Sequence, residues 1–214
     1  MSGREAILAR IRGALREVPA TERPEDVPVA RSYRARDDAP KAEILERFAE
    51  RVAEYKARVR VVTEAELPAT IAVALQERGV RRLVVPADVP ASWLPEGVTL
   101  LRDDGQLSYE ELDGSDGVLT GCAIAIAQTG TIVLDHGPRQ GRRALSLLPD
   151  YHLCVVLADQ VVGLVPEAIG GLAPAARERR PLTFISGPSA TSDIELNRVE
   201  GVHGPRTLEV LIVG

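Results

Sequence analysis

Apolar residues recur every three or four positions in residues 4–16 and again in Lys41–Arg58, which predicts two amphipathic helices. Short runs rich in Val, Ile and Leu at Val59–Val62, Arg82–Pro86 and Thr99–Arg102 predict strands. Because helices and strands alternate, the pattern favours a three-layer α/β fold, with a mostly parallel sheet between flanking helices.

The middle of the chain predicts a hairpin. Cys122–Ala127 and Thr131–Asp135 are apolar runs joined by Gln128-Thr-Gly130, which is typical of two strands and a tight connection. Helical periodicity is an open alternative for the alanine-rich first run. Tyr151–Leu157 then predicts a strand, and a helix capped by Asp159 is predicted to end at Leu172.

Near the C-terminus, a long polar segment lies between two apolar runs. Leu182–Ile185 and Leu208–Val213 predict buried strands of a sheet that is covered on both faces. A polar loop of this length between core strands is uncommon unless it has a function. If the loop leaves the carboxyl end of a parallel strand, it lies where open α/β sheets bind their ligands.

Prolines and charges divide the chain. Val18–Pro40 contains four prolines and predicts an extended arm rather than a helix or a central strand. The predicted organisation is therefore an N-terminal helix and Pro-rich arm at residues 1–40, followed by a single α/β domain at residues 41–214.

Composition and charge narrow the function. The 214 residues carry a net charge of -5, which argues against nucleic-acid binding as the main activity. Lys41 and Lys56 are the only lysines, and both fall in one predicted surface helix, so Schiff-base chemistry and a phosphate-loop lysine have little support. The charged N-terminal residues do not form a signal-peptide core and no stretch is long and apolar enough for a membrane span, which predicts a cytoplasmic protein.

Cysteine and histidine spacing argues against metal centres on this chain. Cys122 and Cys154 lie inside apolar runs and are predicted to be buried and reduced. An iron–sulfur cluster needs about four thiolate-type ligands, so no cofactor of this kind is expected on this chain alone. His136, His152 and His203 have no ligand spacing, so no zinc site is expected.

The first half of the C-terminal polar segment is a candidate binding loop. Small residues, hydroxyls and exposed amides suit a carboxylate or a phosphate, and glycine lets the backbone approach a ligand closely. Helix capping by Ser192-Asp-Ile-Glu195 is the alternative explanation of this polarity. The candidate ligand-binding residues are Ser186, Gly187, Ser189, Thr191 and Asp193.

The second half of the segment contains the candidate acid–base groups. Glu195, Glu200 and His203 are the predicted catalytic residues, because histidine carries protons near neutral pH and a carboxylate can orient it. Arg206 is predicted to hold a substrate carboxylate through a two-pronged ion pair. Equally, Glu200, His203 and Arg206 could bond to each other and only fix the loop.

Two further groups depend on the tertiary structure. Thr129, Gly130 and Thr131 join the predicted site only if the hairpin turn lies beside the C-terminal loop, and otherwise form a plain turn. Asp135-His136 and the nearby arginines form a cationic cluster that could hold an anion or simply begin a solvated helix. The arginines of this cluster are Arg139, Arg142 and Arg143.

Several motifs together resemble the LUD-domain family. They are Thr120–Leu134, Ser146–Asp150, Val165–Glu167, Ile185–Glu195 and Arg198–Arg206. The resemblance is dense from about Val118 to the C-terminus, and Ser-Gly-Pro-Ser-Ala-Thr with Val-Glu-Gly-Val-His-Gly-Pro-Arg is its most specific part.

The resemblance implies a fold like the sugar-phosphate isomerase and CoA-transferase superfamily. It also implies a role in oxidising L-lactate to pyruvate beside two partner proteins that carry iron–sulfur clusters, with a small carboxylate as ligand. Gln128 stands where relatives are expected to carry Glu. A stand-alone isomerase or acyl/CoA transferase acting on an anionic small molecule, and a non-catalytic assembly scaffold, are the alternative functions.

Overall fold

The computed structural model describes residues 2–19, 21–23, 26, 29–188 and 204–214. The chain forms two compact units, Met1–Tyr33 and Arg34–Gly214. The predicted residues Ser189, Thr191, Asp193, Glu195, Glu200 and His203 lie outside the described residues.

The first unit contains helix α1, Gly3–Ala14, as the amphipathic pattern predicts. A capping box begins the helix, because the Ser2 side chain accepts from the Glu5 amide and the Glu5 carboxylate accepts from the Ser2 amide. The apolar side chains of Ile7, Ile11 and Leu15 are exposed.

The second unit is built on a six-stranded sheet in which every strand pair is parallel. Its strands are β1 Arg58–Val62, β2 Arg82–Pro86, β3 Thr99–Asp103, β4 Gly117–Thr120, β7 Tyr151–Leu157 and β10 Thr207–Val213. They lie in the order β1-β10-β7-β4-β2-β3, which places the buried, Val- and Leu-rich strands β7 and β10 inside the sheet.

A smaller sheet contains the predicted hairpin. Its strands are β5 Ile124–Ile126, β6 Thr131–Leu134, β8 Val161–Val162 and β9 Thr183–Ile185. The order is β8-β5-β6-β9, with β5 and β6 antiparallel and joined at the predicted turn. The hairpin prediction is therefore confirmed, and the helical alternative for the alanine-rich run is wrong.

Helices cover the sheets on both sides. The helices of this unit are α2 Lys41–Glu54, α3 Leu67–Glu77, α4 Tyr109–Asp113 and α5 Val165–Arg177. Ile71 of α3 belongs to the core on one face of the large sheet, whereas Phe48 of α2 packs with Ile132 of the small sheet against the other face. Leu172 of α5 packs on the outer side of the small sheet. The predicted three-layer α/β class is confirmed.

Two predictions about single elements are wrong. Asp159 does not cap a helix that runs to Leu172, because the backbone of Val161–Val162 pairs with β5 and α5 begins only at Val165. Leu182–Ile185 is not a core strand covered on both faces. Thr183–Ile185 instead forms the edge of the small sheet, where the Phe184 side chain is 48% exposed.

Across the described ranges, no helix combines the length and apolarity that crossing a membrane requires.

Candidate functional site

The C-terminal polar segment joins the two sheets and reaches the amino edge of the large sheet. It leaves β9 of the small sheet and enters β10, whose first residue is Thr207. Arg206, just before β10, forms a 2.9 Å ion pair with Asp150, which lies just before β7. The loop therefore does not leave the carboxyl end of a parallel strand, because β9 is an antiparallel strand of the other sheet.

Three hydroxyl groups connect the hairpin turn to the beginning of the C-terminal segment. The Thr131 hydroxyl lies 2.8 Å from the Ser186 hydroxyl and 2.7 Å from the Thr129 hydroxyl. The pairing of β6 with β9 creates this contact, because it places Ile132 opposite Ile185. The turn lies beside the loop, which is the condition under which its threonines were predicted to join the site.

Gly130 fixes the position of this turn against α2. Its φ of +59° lies in the left-handed region, and a Cβ atom there would lie 2.7 Å from the backbone carbon of Arg51. Glycine is therefore required for both conformation and space. The consequence is that Thr129 and Thr131 have a defined position relative to the helix.

A cleft of about 70 Å³ opens between the two ends of the C-terminal segment. Its lining includes Ser186 and Gly187 from the beginning of the segment, Gly204 from its end, and Arg143 and Ser146. A water molecule needs on the order of 10–15 Å³ of such space, so the cleft has room for a molecule of a few heavy atoms.

Arg143 is the cation of this cleft. Burial lowers the pKa of its guanidinium, and Nη1 donates a 3.1 Å hydrogen bond to the Ser146 hydroxyl. No carboxylate of the described residues forms an ion pair with it. A half-buried guanidinium with donors to spare is suited to bind a carboxylate or a phosphate.

His136 contacts Thr183, which lines the cleft. Its Nδ1 is 2.9 Å from the Gly141 carbonyl and its Nε2 is 3.3 Å from the Thr183 hydroxyl. Because the carbonyl can only accept, Nδ1 donates this hydrogen bond. The contact with Thr183 links the cleft to the cationic segment that follows β6.

The predicted cation Arg206 lies in a different environment. Its side chain is 65% exposed and is paired with Asp150, which is 62% exposed. Arg143 belongs to the cationic cluster seen in the sequence, but it was not among the predicted binding residues. Burial and the lack of an ion-pair partner among the described carboxylates distinguish it, and neither property can be read from residue type.

A second set of polar side chains, those of Thr120 and His152, lies in the core. The Thr120 hydroxyl is 2.7 Å from Nε2 of the fully buried His152, whose Nδ1 has no described hydrogen-bond partner. Both cysteines are free and buried, as predicted. Cys122, His152 and Thr120 lower the pKa of the Cys154 thiol against the opposing effect of burial.

Within the described ranges, His, Cys, Asp and Glu side chains form no group of three or more that could hold a metal ion.

Gln128 is exposed and lies at the start of α5. Its side-chain oxygen is 3.5 Å from the Val165 amide, which is one of the amides that the helix itself leaves without a partner. In this chain, the position where Glu was expected therefore supports the beginning of a helix.

Comparisons with known proteins converge on one family. The family model for the LUD domain matches residues 45–213. Lactate utilization protein C of Deinococcus radiodurans is 54% identical over 195 residues, which cover 91% of this chain and 90% of that protein. Lactate utilization protein C of Geobacillus kaustophilus is 29% identical over 174 residues, 71% of this chain and 70% of that protein.

A solved structure supports the same relationship. The crystal structure of a DUF162 family protein from Deinococcus radiodurans superposes with a TM-score of 0.73 at 50% sequence identity. The match covers 82% of this chain and 99% of that one.

Proposed function

The chain belongs to the LUD domain family, and from this membership we propose that it acts in lactate utilization, as the subunit without iron–sulfur clusters of a system that oxidises L-lactate to pyruvate. The two relatives named above carry the name lactate utilization protein C, and one of them matches nine-tenths of this chain. These names support the pathway. The cleft at the amino edge supports a part in binding the substrate.

The observation that carries the proposal is that Arg143 and Ser186 line the same cleft. A 2-hydroxy acid has a carboxylate and a neighbouring hydroxyl. The Arg143 guanidinium would bind the carboxylate, and the Ser186 hydroxyl, which lies 2.8 Å from the Thr131 hydroxyl, would bind the substrate hydroxyl. Burial strengthens such contacts, because the local dielectric is lower than that of water.

Oxidation of L-lactate to pyruvate releases two electrons and two protons. His203 stays the predicted acceptor of the hydroxyl proton, and Glu200 and Glu195 stay predicted members of the same group. We assign the electron acceptors to two partner proteins with iron–sulfur clusters, since this chain has only two cysteines. A cytoplasmic location is part of the proposal.

The experiment is deletion of the gene followed by growth on L-lactate as the carbon source. We expect growth to fail and to be restored by the wild-type gene. Complementation with Arg143→Gln should not restore it, whereas Arg206→Gln, which changes an exposed and paired arginine, should do so. Normal growth of the deletion strain would refute the role in lactate utilization.

An assembly role is the second candidate, and the exposed apolar side chains of α1 favour it. Ile7 is 61% exposed and Ile11 is 49% exposed, which is unusual for large apolar residues on one helix face. Co-purification from lactate-grown cells separates the two candidates. If Arg143→Gln abolishes lactate oxidation while the partners still co-purify, the cleft has a binding role; if oxidation and assembly both persist, the chain is a scaffold.

A further inference from the structure

The carboxyl edge of the large sheet contains a topological switch point between β2 and β4. These two strands are neighbours, yet the chain leaves β2 towards β3 and leaves β4 in the opposite direction, towards β7. Open α/β sheets bind ligands in the crevice outside the strand ends at such a point. The amino-edge cleft described above lies at the other end of the strands.

The segment after β6 crosses this crevice, and Arg139 bridges the two strand ends. Its amide donates to the Asp88 carboxylate at 2.8 Å, just beyond β2. Its carbonyl accepts from the Gly121 amide at 2.7 Å, directly after β4. The backbone amide and carbonyl of Arg139 therefore hold the segment after β6 against the ends of β2 and β4.

This segment also has an unusual backbone. His136 and Arg139 have φ values of 55° and 65°, in the left-handed region that side chains other than glycine rarely adopt. Such conformations cost free energy, and they cluster at ligand-binding sites, where the surrounding contacts maintain them.

The Arg139 side chain is a cation without a carboxylate partner among the residues that the structure describes. Its guanidinium carbon lies 5.7 Å from the centre of the Trp93 ring. Arg139 lines a cavity of about 250 Å³ together with Cys122 and Asp135. The Asp135 charge is already used, because Arg180 forms a 2.7 Å ion pair with it.

The amide side chains of the cavity wall are also occupied. Gln140 donates to the Asp135 carboxylate at 2.8 Å and accepts from the Asp135 amide at 2.7 Å. Gln160 donates to the Cys122 carbonyl at 2.7 Å and accepts from the Leu157 amide at 2.9 Å. The unpaired charge of this wall is therefore positive, which selects an anionic ligand.

We propose that this cavity, which is lined by Cys122 after β4 and by Gln160 after β7, is a second ligand site, in which Arg139 binds a small anion such as a carboxylate or a phosphate. The site is independent of the proposed role in lactate utilization, since it shares no residue with the Arg143 cleft. Cys122 forms part of its wall and would be covered by the bound ligand.

Fluorescence titration tests the proposal, because Trp93 is the only tryptophan of the chain. Inorganic phosphate, L-lactate and pyruvate are the probes, each against sodium chloride at equal ionic strength. We expect a saturable change of Trp93 fluorescence in the wild type with phosphate or with a carboxylate, and the probe that produces it identifies the ligand chemistry.

Variants of single arginines serve as the comparison. Arg139→Gln should weaken the saturable binding by about tenfold or more, and Arg58→Gln, which changes an exposed arginine of the edge strand β1, should leave it unchanged. Arg139→Lys, which keeps the charge, should bind better than Arg139→Gln.

Absence of a saturable change with all three probes in the wild type would overturn the proposal, and this readout does not depend on the folding of any variant. Equal binding by the wild type and a folded Arg139→Gln variant would overturn it too. A fluorescence change that Arg143→Gln abolishes and Arg139→Gln keeps would assign the anion to the amino-edge cleft instead.

Discussion

The role of a single residue in this chain depends on its burial and its partners, which residue type alone does not reveal. Arg143 and Arg206 are both arginines beside the C-terminal segment, but the first is half-buried with a hydroxyl partner and the second is exposed and paired with Asp150. The sequence therefore predicts an anion-binding arginine in this region, whereas the choice between the two depends on burial.

Gly130→Ala should lower the free energy of unfolding by about 2 kcal/mol or more, because alanine would adopt a left-handed conformation and contact the Arg51 backbone. Gly170→Ala is the matched control, since an added Cβ there meets nothing within 4 Å and the residue lies inside α5. We expect the control to raise the free energy of unfolding by about 0.5–1 kcal/mol. Denaturant unfolding measures both; equal effects would contradict the packing of the turn on α2.

Tyr151 should make stability depend on alkaline pH. Burial, with the Glu209 carboxylate, raises the pKa of this tyrosine, so the folded chain keeps the phenol proton at a pH where the unfolded chain loses it. Its stabilising contribution is fully present below about pH 10 and falls above it, by about 1.4 kcal/mol per pH unit.

Denaturant unfolding between about pH 9 and about pH 11 measures this slope. The slope should disappear in Tyr151→Phe and persist in Tyr33→Phe, which changes a tyrosine that is 54% exposed. An unchanged slope in Tyr151→Phe would show that other groups cause the alkaline loss of stability.

At the scale of elements, the alternation of patterns predicts the parallel sheet and the hairpin, and the predicted strand Tyr151–Leu157 has the same bounds in the structure. The incorrect predictions concern how strands pair. The sequence of Val161–Val162 fits the predicted helix, but its backbone pairs with β5. Thr183–Ile185 has the composition of a core strand but lies at a sheet edge. Such pairings depend on residues far away along the chain.

An ion pair whose carboxylate is fully buried connects the edge strand β1 to β10. Nε of Arg60 lies 2.8 Å from the fully buried Glu209 carboxylate, which also accepts from the Tyr151 hydroxyl at 3.0 Å. Removing one partner of a buried pair leaves the other charge without compensation.

Arg60→Leu should therefore lower the free energy of unfolding by about 3–5 kcal/mol, and the added change Glu209→Leu should restore most of the loss. Arg58→Leu is the control on the same strand, because Arg58 pairs only with the exposed Glu77 among the described carboxylates. It should cause no measurable change. A single variant Arg60→Leu as stable as the wild type would show that the pair does not hold β1.

The whole molecule has two candidate sites at opposite ends of one parallel sheet. The Thr131 hydroxyl lies within hydrogen-bonding distance of the Thr129 and Ser186 hydroxyls, so the hairpin turn lies beside the C-terminal segment. Ligand binding by these residues and Gly187, and the catalytic roles of Glu195, Glu200 and His203, stay predictions. The residue pattern predicts neither the edge at which the loop lies nor the crevice at Arg139, because both depend on the strand order.

Calorimetric titration of the purified protein with L-lactate tests the central claim that the Arg143 cleft binds a small carboxylate. We predict binding by the wild type, a dissociation constant raised about tenfold or more in Arg143→Gln, and no change in Arg206→Gln. Equal affinity of the wild type and a folded Arg143→Gln variant, or no binding by the wild type, would contradict the account.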